Sequence, residues 1–224
     1  MTPTSDYRDH LDEYLELRRR MRSINSQLMD MVSRKTLKQA RRRLDLHRLQ
    51  IDEGAVDVVR TVLMDYAIHF ARRGGRRLQE VYFDEHPPEP DHVLDRYRRH
   101  LDTYHYTILR IQDIVPGVGI RVVDALQKDT TFFLMDRNFS HTVEVGKPMS
   151  AGVVHLPEYA LTTGAPLPTP LAAAEDLVDA IPEQIGHPDT LDYATLPPPM
   201  MAKLAALIIR HALREGAASM VEYR

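Results

Sequence analysis

The sequence predicts an α+β fold: a helical N-terminal part packed on a small antiparallel β-barrel, with C-terminal helices after it. Apolar residues recur at helical spacing through the first hundred residues. They change to short β-branched and aromatic runs between residues 106 and 164, and then return to helical spacing. We therefore divide the chain into a helical region 1–105, a barrel 106–168 and a C-terminal helical extension 169–224.

Three amphipathic helices are predicted in the first part of the chain. The first carries apolar residues at helical spacing over 11–32, and the second does so over 37–49. Ser33 lies between them and either ends the first helix or caps the second. The third helix covers 56–70, has a more apolar interior and stops at Gly74-Gly75.

Shorter helices are predicted before and after the barrel in the chain. Residues 76–85 begin as a short helix, which the prolines of HPPEP end, and Asp91 is a good N-cap for a helix that leads into the barrel. After the barrel, the proline-rich connector APLPTP precedes a helix over 171–181. The break LPPPM then precedes a last helix over 201–216.

The barrel prediction rests on short strands separated by turn signals. Pro116-Gly117 supplies a tight turn with a positive-φ position, and the polar run 127–129 supplies another. We place strands near 106–114, 119–126, 130–136, 141–145, 149–156 and 158–163. A closed barrel leaves no exposed edge, and this number of strands fits either an SH3-like or an OB-like barrel.

Composition excludes several classes of protein. The 29 basic and 32 acidic residues give a formal charge of -3, so no strong overall field favours a charged partner. The absence of cysteine excludes disulfides, thiolate nucleophiles and cysteine metal sites, and we predict no cofactor. No secretory signal and no membrane-length apolar run is present, which indicates a soluble, cytoplasmic, bacterial-type protein without membrane association.

Charge is nevertheless unevenly distributed. Residues 1–50 hold 12 Lys/Arg against 7 Asp/Glu, whereas residues 169–224 hold 4 against 8. Basic helix faces are usually only solvated, but these side chains are also the candidates for nucleic-acid contact. The candidates are Arg18, Arg19, Arg20, Arg22, Arg34, Lys35, Lys38, Arg41, Arg42 and Arg43. The barrel stretch 113–168 has 4 Lys/Arg against 6 Asp/Glu, so we expect any such contact on the helices.

Four polar residues are embedded in the strand pattern, namely Asp124, Asp136, Arg137 and Ser140. Asp and Ser at strand ends commonly bond turn amides, so we interpret them as a fold-defining polar set; the alternative is a ligand-contacting barrel rim. Ser140 and His141 are adjacent on a predicted strand and would point to opposite faces, so they do not form a catalytic triad.

Histidines and carboxylates are concentrated just before the barrel. The group comprises Asp84, Glu85, His86, Asp91, His92, Asp95, His100, Asp102 and His105. No metal signature such as His-Glu-x-x-His is present, and we interpret the group as solvated helix ends and a polar linker. The alternative interpretation is a metal site.

The last helix carries a broad apolar face that includes Leu204, Leu207, Ile208 and Leu213. Such a face requires a partner surface. It either docks on the protein's own core or forms a homodimer through residues 200–215.

The runs GIRVVDAL, FFLMDRNFS and VEVG, followed by VVHL and TTGAPLP, resemble a module of uncharacterised bacterial proteins associated with SEC-C motifs. The matching positions are Pro116, Gly117, Gly119, Asp124, Asp136, Arg137, Ser140 and Gly146. The resemblance covers residues 55–168 and implies a helical part that leads into a small β domain. The zinc motif of the larger group requires cysteines, which this chain lacks.

Three functional hypotheses follow. The first is a non-enzymatic module that binds a protein partner. The second is a nucleic-acid or ribosome-associated protein that uses the basic helices, and the third is a metal-dependent hydrolase built from the histidine and carboxylate group. An enzyme is the less favoured class because no catalytic signature is present.

Overall fold

The N-terminal part of the protein is helical, as the sequence predicts. The structure is a computed structural model that describes residues 5–90, 92–127, 130–185 and 196–221. The helices before the barrel are α1 (Ser5–Arg8), α2 (Leu11–Met31), α3 (Arg34–Arg43), α4 (Val56–Phe70), α5 (Leu78–Glu85) and α6 (Val93–Arg99). Within the described ranges, no helix combines the length and the hydropathy that a membrane crossing needs.

Local signals explain where these helices begin. Ser33 caps α3, because its Oγ accepts a hydrogen bond from the backbone N–H of Thr36 at 3.1 Å. The Nδ1 of His92 accepts from the N–H of Leu94 at 3.2 Å and caps α6. Asp91, the predicted cap of this helix, lies outside the described residues.

A tight hairpin separates α4 from α5. Its strands are β1 (Arg72–Arg73) and β2 (Arg76–Arg77), which pair antiparallel across Gly74 and Gly75. Both glycines have positive φ, 60° and 84°, as a two-residue hairpin turn requires. Helix α4 therefore ends at Phe70, before the glycine pair, and the chain turns back on itself.

The barrel is built from five strands, with a sixth strand attached. The strands are β3 (His105–Val115), β4 (Gly119–Asp124), β5 (Thr131–Met135), β6 (Pro148–His155), β7 (Ala160–Thr162) and β8 (Leu167–Pro168). The sheet runs in the order β3-β4-β5-β7-β6, and β6 pairs back with β3 to close the barrel. Strand β8 pairs antiparallel with Met149 and Ser150, near the start of β6.

Strand order decides between the two predicted barrel types. A single helical turn, α7 (Phe139–Thr142), lies between the third and fourth barrel strands, and the third and fifth strands are parallel neighbours. The order first, second, third, fifth, fourth, with a helix before the fourth strand, is the connectivity of an OB-type barrel. The antiparallel prediction is therefore wrong for β5 and β7 and correct for the other neighbouring barrel strands.

Strand alternation gives the barrel two apolar surfaces. The interior is filled by Leu109, Ile111, Ile120, Val122, Leu134, Met149, Ala151, Val153 and Ala160. Adjacent residues point to opposite sides, so Phe132 packs against this interior while Phe133 packs against the helices.

A second, larger core joins the barrel to the helices. It contains Leu17 of α2, Tyr106 of β3 and Ile208 of the last helix, so residues from all three predicted regions share it. The C-terminal helices are α8 (Leu171–Ile185) and α9 (Pro198–Arg214). Helix α9 begins within the LPPPM break, where prolines suit a first helical turn.

One predicted strand differs from the structure. The strand predicted at 141–145 is wrong: residues 139–142 form α7, and 143–147 form the loop to β6. Asp136 favours the helical turn, because its Oδ1 accepts the N–H groups of Asn138 and Phe139, both at 3.1 Å. The proline-rich connector APLPTP contributes β8, which lies within the predicted barrel range 106–168.

The N-terminal turn covers the outside of the second and third barrel strands. The ring of Tyr7 stacks on Phe133 of β5 at 3.8 Å and 13°. The guanidinium of Arg121 in β4 lies 6.0 Å from the centre of the Tyr7 ring. This face of the barrel is therefore occupied by the protein's own N-terminal segment.

Candidate functional site

Arg18 differs from the other predicted nucleic-acid contacts. Its Nη1 donates to the carbonyl oxygen of Thr162 at 2.9 Å, and its Nη2 lies 3.4 Å from Oδ2 of Asp136. The side chain thus connects α2 to the barrel, and its charge is partly neutralised there.

The neighbouring arginines on α2 have an acidic partner on the same helix. Nη2 of Arg19 and Nε of Arg20 donate to Oε1 of Glu16 at 2.7 and 2.6 Å. Hydrogen bonds from these two arginines lower the pKa of Glu16 to about 2. Arg22 is exposed on the same helix. Most of the positive charge on α2 is therefore paired.

Helix α3 carries the remaining candidates, and it has no acidic residue. Its six basic residues, Arg34, Lys35, Lys38, Arg41, Arg42 and Arg43, are all exposed. In the described part of the chain, none of the six forms an ion pair. We call this surface the α3 cationic face. Arg210 of α9 adjoins it, because Nη1 of Arg210 donates to the carbonyl of Arg43 at 3.5 Å.

Three residues of the predicted polar set lie in the turn before α7, and Asp136 makes the most contacts among them. Besides the two turn amides at Oδ1, its Oδ2 accepts from Thr162 Oγ1 at 3.2 Å and meets Arg18. The carboxylate is buried, and these contacts link the turn, strand β7 and helix α2.

Ser140 and Arg137 complete the same turn in different ways. Ser140 Oγ donates to the carbonyl of Arg137 at 2.7 Å and accepts from the N–H of Gly117 at 2.9 Å. The Arg137 side chain is exposed, so this residue contributes its backbone carbonyl to the turn.

Asp124 closes the turn after β4. Its Oδ1 accepts from Thr107 Oγ1 at 2.7 Å and from the N–H of Leu126 at 2.9 Å. Its Oδ2 lies 3.5 Å from Nε2 of the buried His105. Asp124 and Asp136 are therefore at two separate turns, and the structure does not bring the four residues together at one rim.

The histidine and carboxylate group is dispersed. The Nδ1 atoms of His86 and His100 lie within hydrogen-bond distance of the backbone carbonyls of Tyr82 and Arg96, 3.2 and 2.8 Å away. Across the described ranges, no three His, Asp or Glu side chains are arranged to hold a metal ion. The geometry therefore gives no support to the hydrolase hypothesis.

The apolar face of α9 is buried within the protein. Leu204, Ile208 and Leu213 belong to the larger core, and Leu207 packs against it. Docking on the protein's own core accounts for this face. A homodimer through residues 200–215 stays a prediction that this face does not support.

The feature that the sequence did not reveal is an apolar groove at one end of the barrel. Among the large apolar side chains that the structure describes, the three most exposed are Val145, Met220 and Leu171, at 59%, 52% and 51%. They come from three separate segments, and all three line the same cavity of about 780 Å³. We call this cavity the apolar groove.

Two segments form the walls of the apolar groove. One wall is the loop 143–147 between α7 and β6, which is hydrogen-bonded to β3 because the N–H of Gly146 donates to the carbonyl of Ile111 at 2.8 Å. The other is the edge formed by β8, with Pro166, Pro168 and Pro170. Proline has no N–H to donate, so this edge is unsuited to pairing with a strand of another chain.

The groove is also nearly neutral. Glu144 and Lys147 are the acidic and basic residues that line it, and they face each other at 4.0 Å. His141 is exposed and lies beside them. This lining suits the binding of apolar side chains and contains no arrangement of catalytic groups.

Each signal for the groove was present in the sequence, but the signals are far apart. Val145 falls in the predicted strand, Leu171 at the start of a helix, and Met220 after the last helix. Only the closure of the barrel and the docking of α9 bring them to one place.

Comparison with known proteins gives a family. Residues 8–190 match the model of a family of unknown function, DUF7986. No curated protein and no solved structure matches the chain. The family match includes no link to SEC-C-associated proteins, so that resemblance stays a prediction.

Proposed function

The chain belongs to this family of unknown function, and from its geometry we propose that the protein is a non-enzymatic interaction module. Its apolar groove holds apolar side chains of an extended segment from a partner protein. The observation that carries the proposal is the convergence of Val145, Leu171 and Met220 on one cavity. Large apolar side chains that are exposed together mark contact sites more often than those exposed singly.

The lining of the groove restricts the chemistry of the partner. The proline edge cannot donate a ladder of backbone hydrogen bonds, so recognition depends on side chains filling the groove. One acidic and one basic residue give the lining no net charge, which favours an uncharged segment over an acidic or basic one. A volume of about 780 Å³ is in the range of cavities that bury a ligand well.

A paired substitution tests this proposal. We expect Val145→Asp combined with Met220→Asp to abolish binding of a nuclease-resistant partner in a pull-down from native cell extract. The matched control is Val56→Asp, which changes a side chain that is exposed outside the groove. Binding should then be reproduced with the purified partner and with a peptide of its apolar segment.

Two results would contradict the proposal. One is a purified partner that binds the groove variant as well as it binds the wild type. The other is a wild-type dimer, measured by light scattering, that Val145→Asp dissociates, because the groove would then hold a second copy of this chain.

A second candidate function is nucleic-acid or ribosome association through the α3 cationic face. The observation that favours it is the presence of six exposed basic side chains in ten residues, with no acid among them. Unpaired cations clustered on one helix attract phosphate backbones, and this binding is strongly salt-dependent.

Matched triple variants test this second function. We expect Arg34→Gln, Lys38→Gln and Arg41→Gln together to weaken the binding of labelled RNA or duplex DNA. They should also reduce the slope of log K against log salt by up to about 3. The control triple, Arg73→Gln, Arg110→Gln and Arg137→Gln, removes the same charge from exposed sites elsewhere. Equal effects of the two triples would show that net charge, and not the α3 face, governs binding.

A further inference from the structure

A second cavity lies where the helices meet the barrel, away from the apolar groove. It has a volume of about 240 Å³ and is lined by residues of α2, α4, α5 and α6 and by the end of β7. That volume corresponds to about eight water molecules at liquid density, enough for a small metabolite.

The interior of this cavity contains a buried acid next to a histidine. Asp65 and His69 are one turn apart on α4, and Oδ1 of Asp65 lies 3.4 Å from Nε2 of His69. Their side chains are 12% and 3% exposed. Thr163 Oγ1 donates to the other carboxylate oxygen of Asp65 at 3.3 Å.

The chain approaches this acid closely enough to require glycine. A Cβ atom on Gly164, whose φ is +44°, would lie 2.5 Å from Cγ of Asp65. The sharp exit from β7 therefore presses the backbone against the carboxylate and leaves no space for a side chain. The same contact keeps water away from one side of Asp65.

The polar groups of the cavity are incompletely paired within the protein. The ring of His69 stacks on Tyr104 at 3.7 Å, and its Nδ1 is buried without a hydrogen-bond partner among the described residues. Burial and, after it, the charge of Asp65 raise the pKa of Tyr97 and Tyr106. A buried carboxylate is favourably placed to bind a cationic group.

Basic side chains lie toward the opening of the cavity. Arg60 lines the cavity with a side chain that is 72% exposed, and its pairing with Asp57 at 3.8 Å is itself solvent-exposed. Arg18 adds a second guanidinium to the wall. Met21, Met64 and Ile68 also line the cavity and give it apolar surface.

We propose that this cavity binds a free α-amino acid. Its ammonium group bonds to Asp65, its carboxylate to Arg60 at the opening, and its side chain packs on the methionines. An acid, a guanidinium and apolar walls in one cavity match the three groups that the α-carbon of such a molecule carries. This site is separate from the apolar groove and does not depend on the function proposed for it.

Thermal unfolding with single L-amino acids tests the proposal. We expect at least one of them to raise the unfolding temperature of the wild type, because a ligand that binds only the folded state stabilises it. The amine without the carboxylate, and the acid without the amine, should raise it less. A wild type that no amino acid stabilises would overturn the proposal.

Variants locate the binding. We expect Arg60→Gln to weaken the affinity of the active amino acid by about tenfold or more, measured by calorimetry, because it removes a charged hydrogen bond. Its exposed side chain makes unliganded stability insensitive to this change. Asp65→Asn should remove the response, and Arg73→Gln, an exposed arginine outside the cavity, should leave it unchanged. Unaltered affinity in Arg60→Gln would contradict the assignment.

Discussion

Asp136 and Arg137 are adjacent in the turn before α7, but only the side chain of Asp136 is buried and bonded to the rest of the protein. The Asp136 carboxylate is buried and accepts from two amides and a threonine hydroxyl while facing Arg18. The Arg137 guanidinium points to solvent, and its carbonyl serves the turn. Substituting each in turn separates side-chain from backbone contributions.

We predict that Asp136→Ala lowers the free energy of unfolding by about 2 kcal/mol, because it leaves buried donors without an acceptor. Arg137→Ala should change it by less than about 0.5 kcal/mol. Urea denaturation followed by circular dichroism measures both values. Similar losses in the two variants would show that the carboxylate is not the stabilising group.

His155 is a half-buried histidine in β6 whose surroundings disfavour its protonated form. Its ring stacks on His105 at 5.2 Å and meets Phe132 edge-on at 4.6 Å. Burial, followed by the influence of His105, lowers the pKa of His155 from 6.5 to about 4. The unfolded chain therefore takes up this proton at a higher pH than the folded protein does.

Because the folded pKa lies below the unfolded one, the contribution of His155 to stability is complete above pH 6.5. It falls as the pH drops toward about 4. We predict that His155→Gln flattens the dependence of unfolding free energy on pH in this window by up to about 1.4 kcal/mol per pH unit. Urea midpoints at several pH values test this. The exposed His141→Gln should keep the wild-type slope.

Residue-scale prediction from sequence succeeded where the contacts are local. The Ser33 cap and the turn at Gly117 involve neighbours in the chain, and the sequence indicates both. Arg18 and Asp136 are 118 positions apart, so no local pattern reveals that they meet. Asp65 and Thr163 are also far apart in the chain, so no local pattern reveals their contact in the cavity where the helices meet the barrel.

Helix α9 shows at the element scale how an apolar face can be interpreted in two ways. Its periodicity fits equally a helix that docks on its own core and one that dimerises. The structure places the face against the barrel and α8, where Ile208 is fully buried. The periodicity of a helix identifies its apolar face but not the surface that covers it.

We predict that Ile208→Ala lowers the free energy of unfolding by about 3 kcal/mol, because it leaves a cavity in a packed core. Lys203→Ala, on the exposed side of the same helix, should cost less than about 1 kcal/mol. Urea denaturation gives the two values, and light scattering should show one oligomeric state for both variants. A change of oligomeric state with little loss of stability would instead indicate a dimer interface at α9.

The mispredicted strand at 141–145 has a physical cause at the same scale. Its β-branched residues favour a strand when considered alone. The side chains of Asp136 and Ser140 bond the backbone and stabilise a helical turn instead. Local hydrogen bonds thus outweigh propensity here, and the loop that results forms a wall of the apolar groove.

At the scale of the whole molecule, the helices and the barrel depend on a shared core. The outward-facing Tyr106, Phe133 and Val154 of the barrel are buried by the helices. The strand pattern predicted the barrel, but it did not predict how completely its outer surface is covered. The reason is that the helices which bury this surface are distant from the strands in the chain.

We predict that a fragment of residues 105–170 does not fold alone, because its outward apolar side chains would be exposed to water. The fragment should bind a hydrophobic dye strongly and give a poorly dispersed proton spectrum. For the intact protein, unfolding followed by tyrosine fluorescence and by far-ultraviolet circular dichroism should coincide. A well-dispersed spectrum from the fragment would show that the barrel is independent of the helices.

The order of the barrel strands also affects synthesis of the protein. Because β7, the last of the five barrel strands in the chain, lies between β5 and β6, the barrel cannot close until residue 162 has left the ribosome. The helices of the first hundred residues pack on one another but lack the barrel part of their packing surface until then, and such non-local pairing slows folding. During this delay the nascent chain carries exposed apolar helices, so we expect it to be a client of chaperones that act during translation.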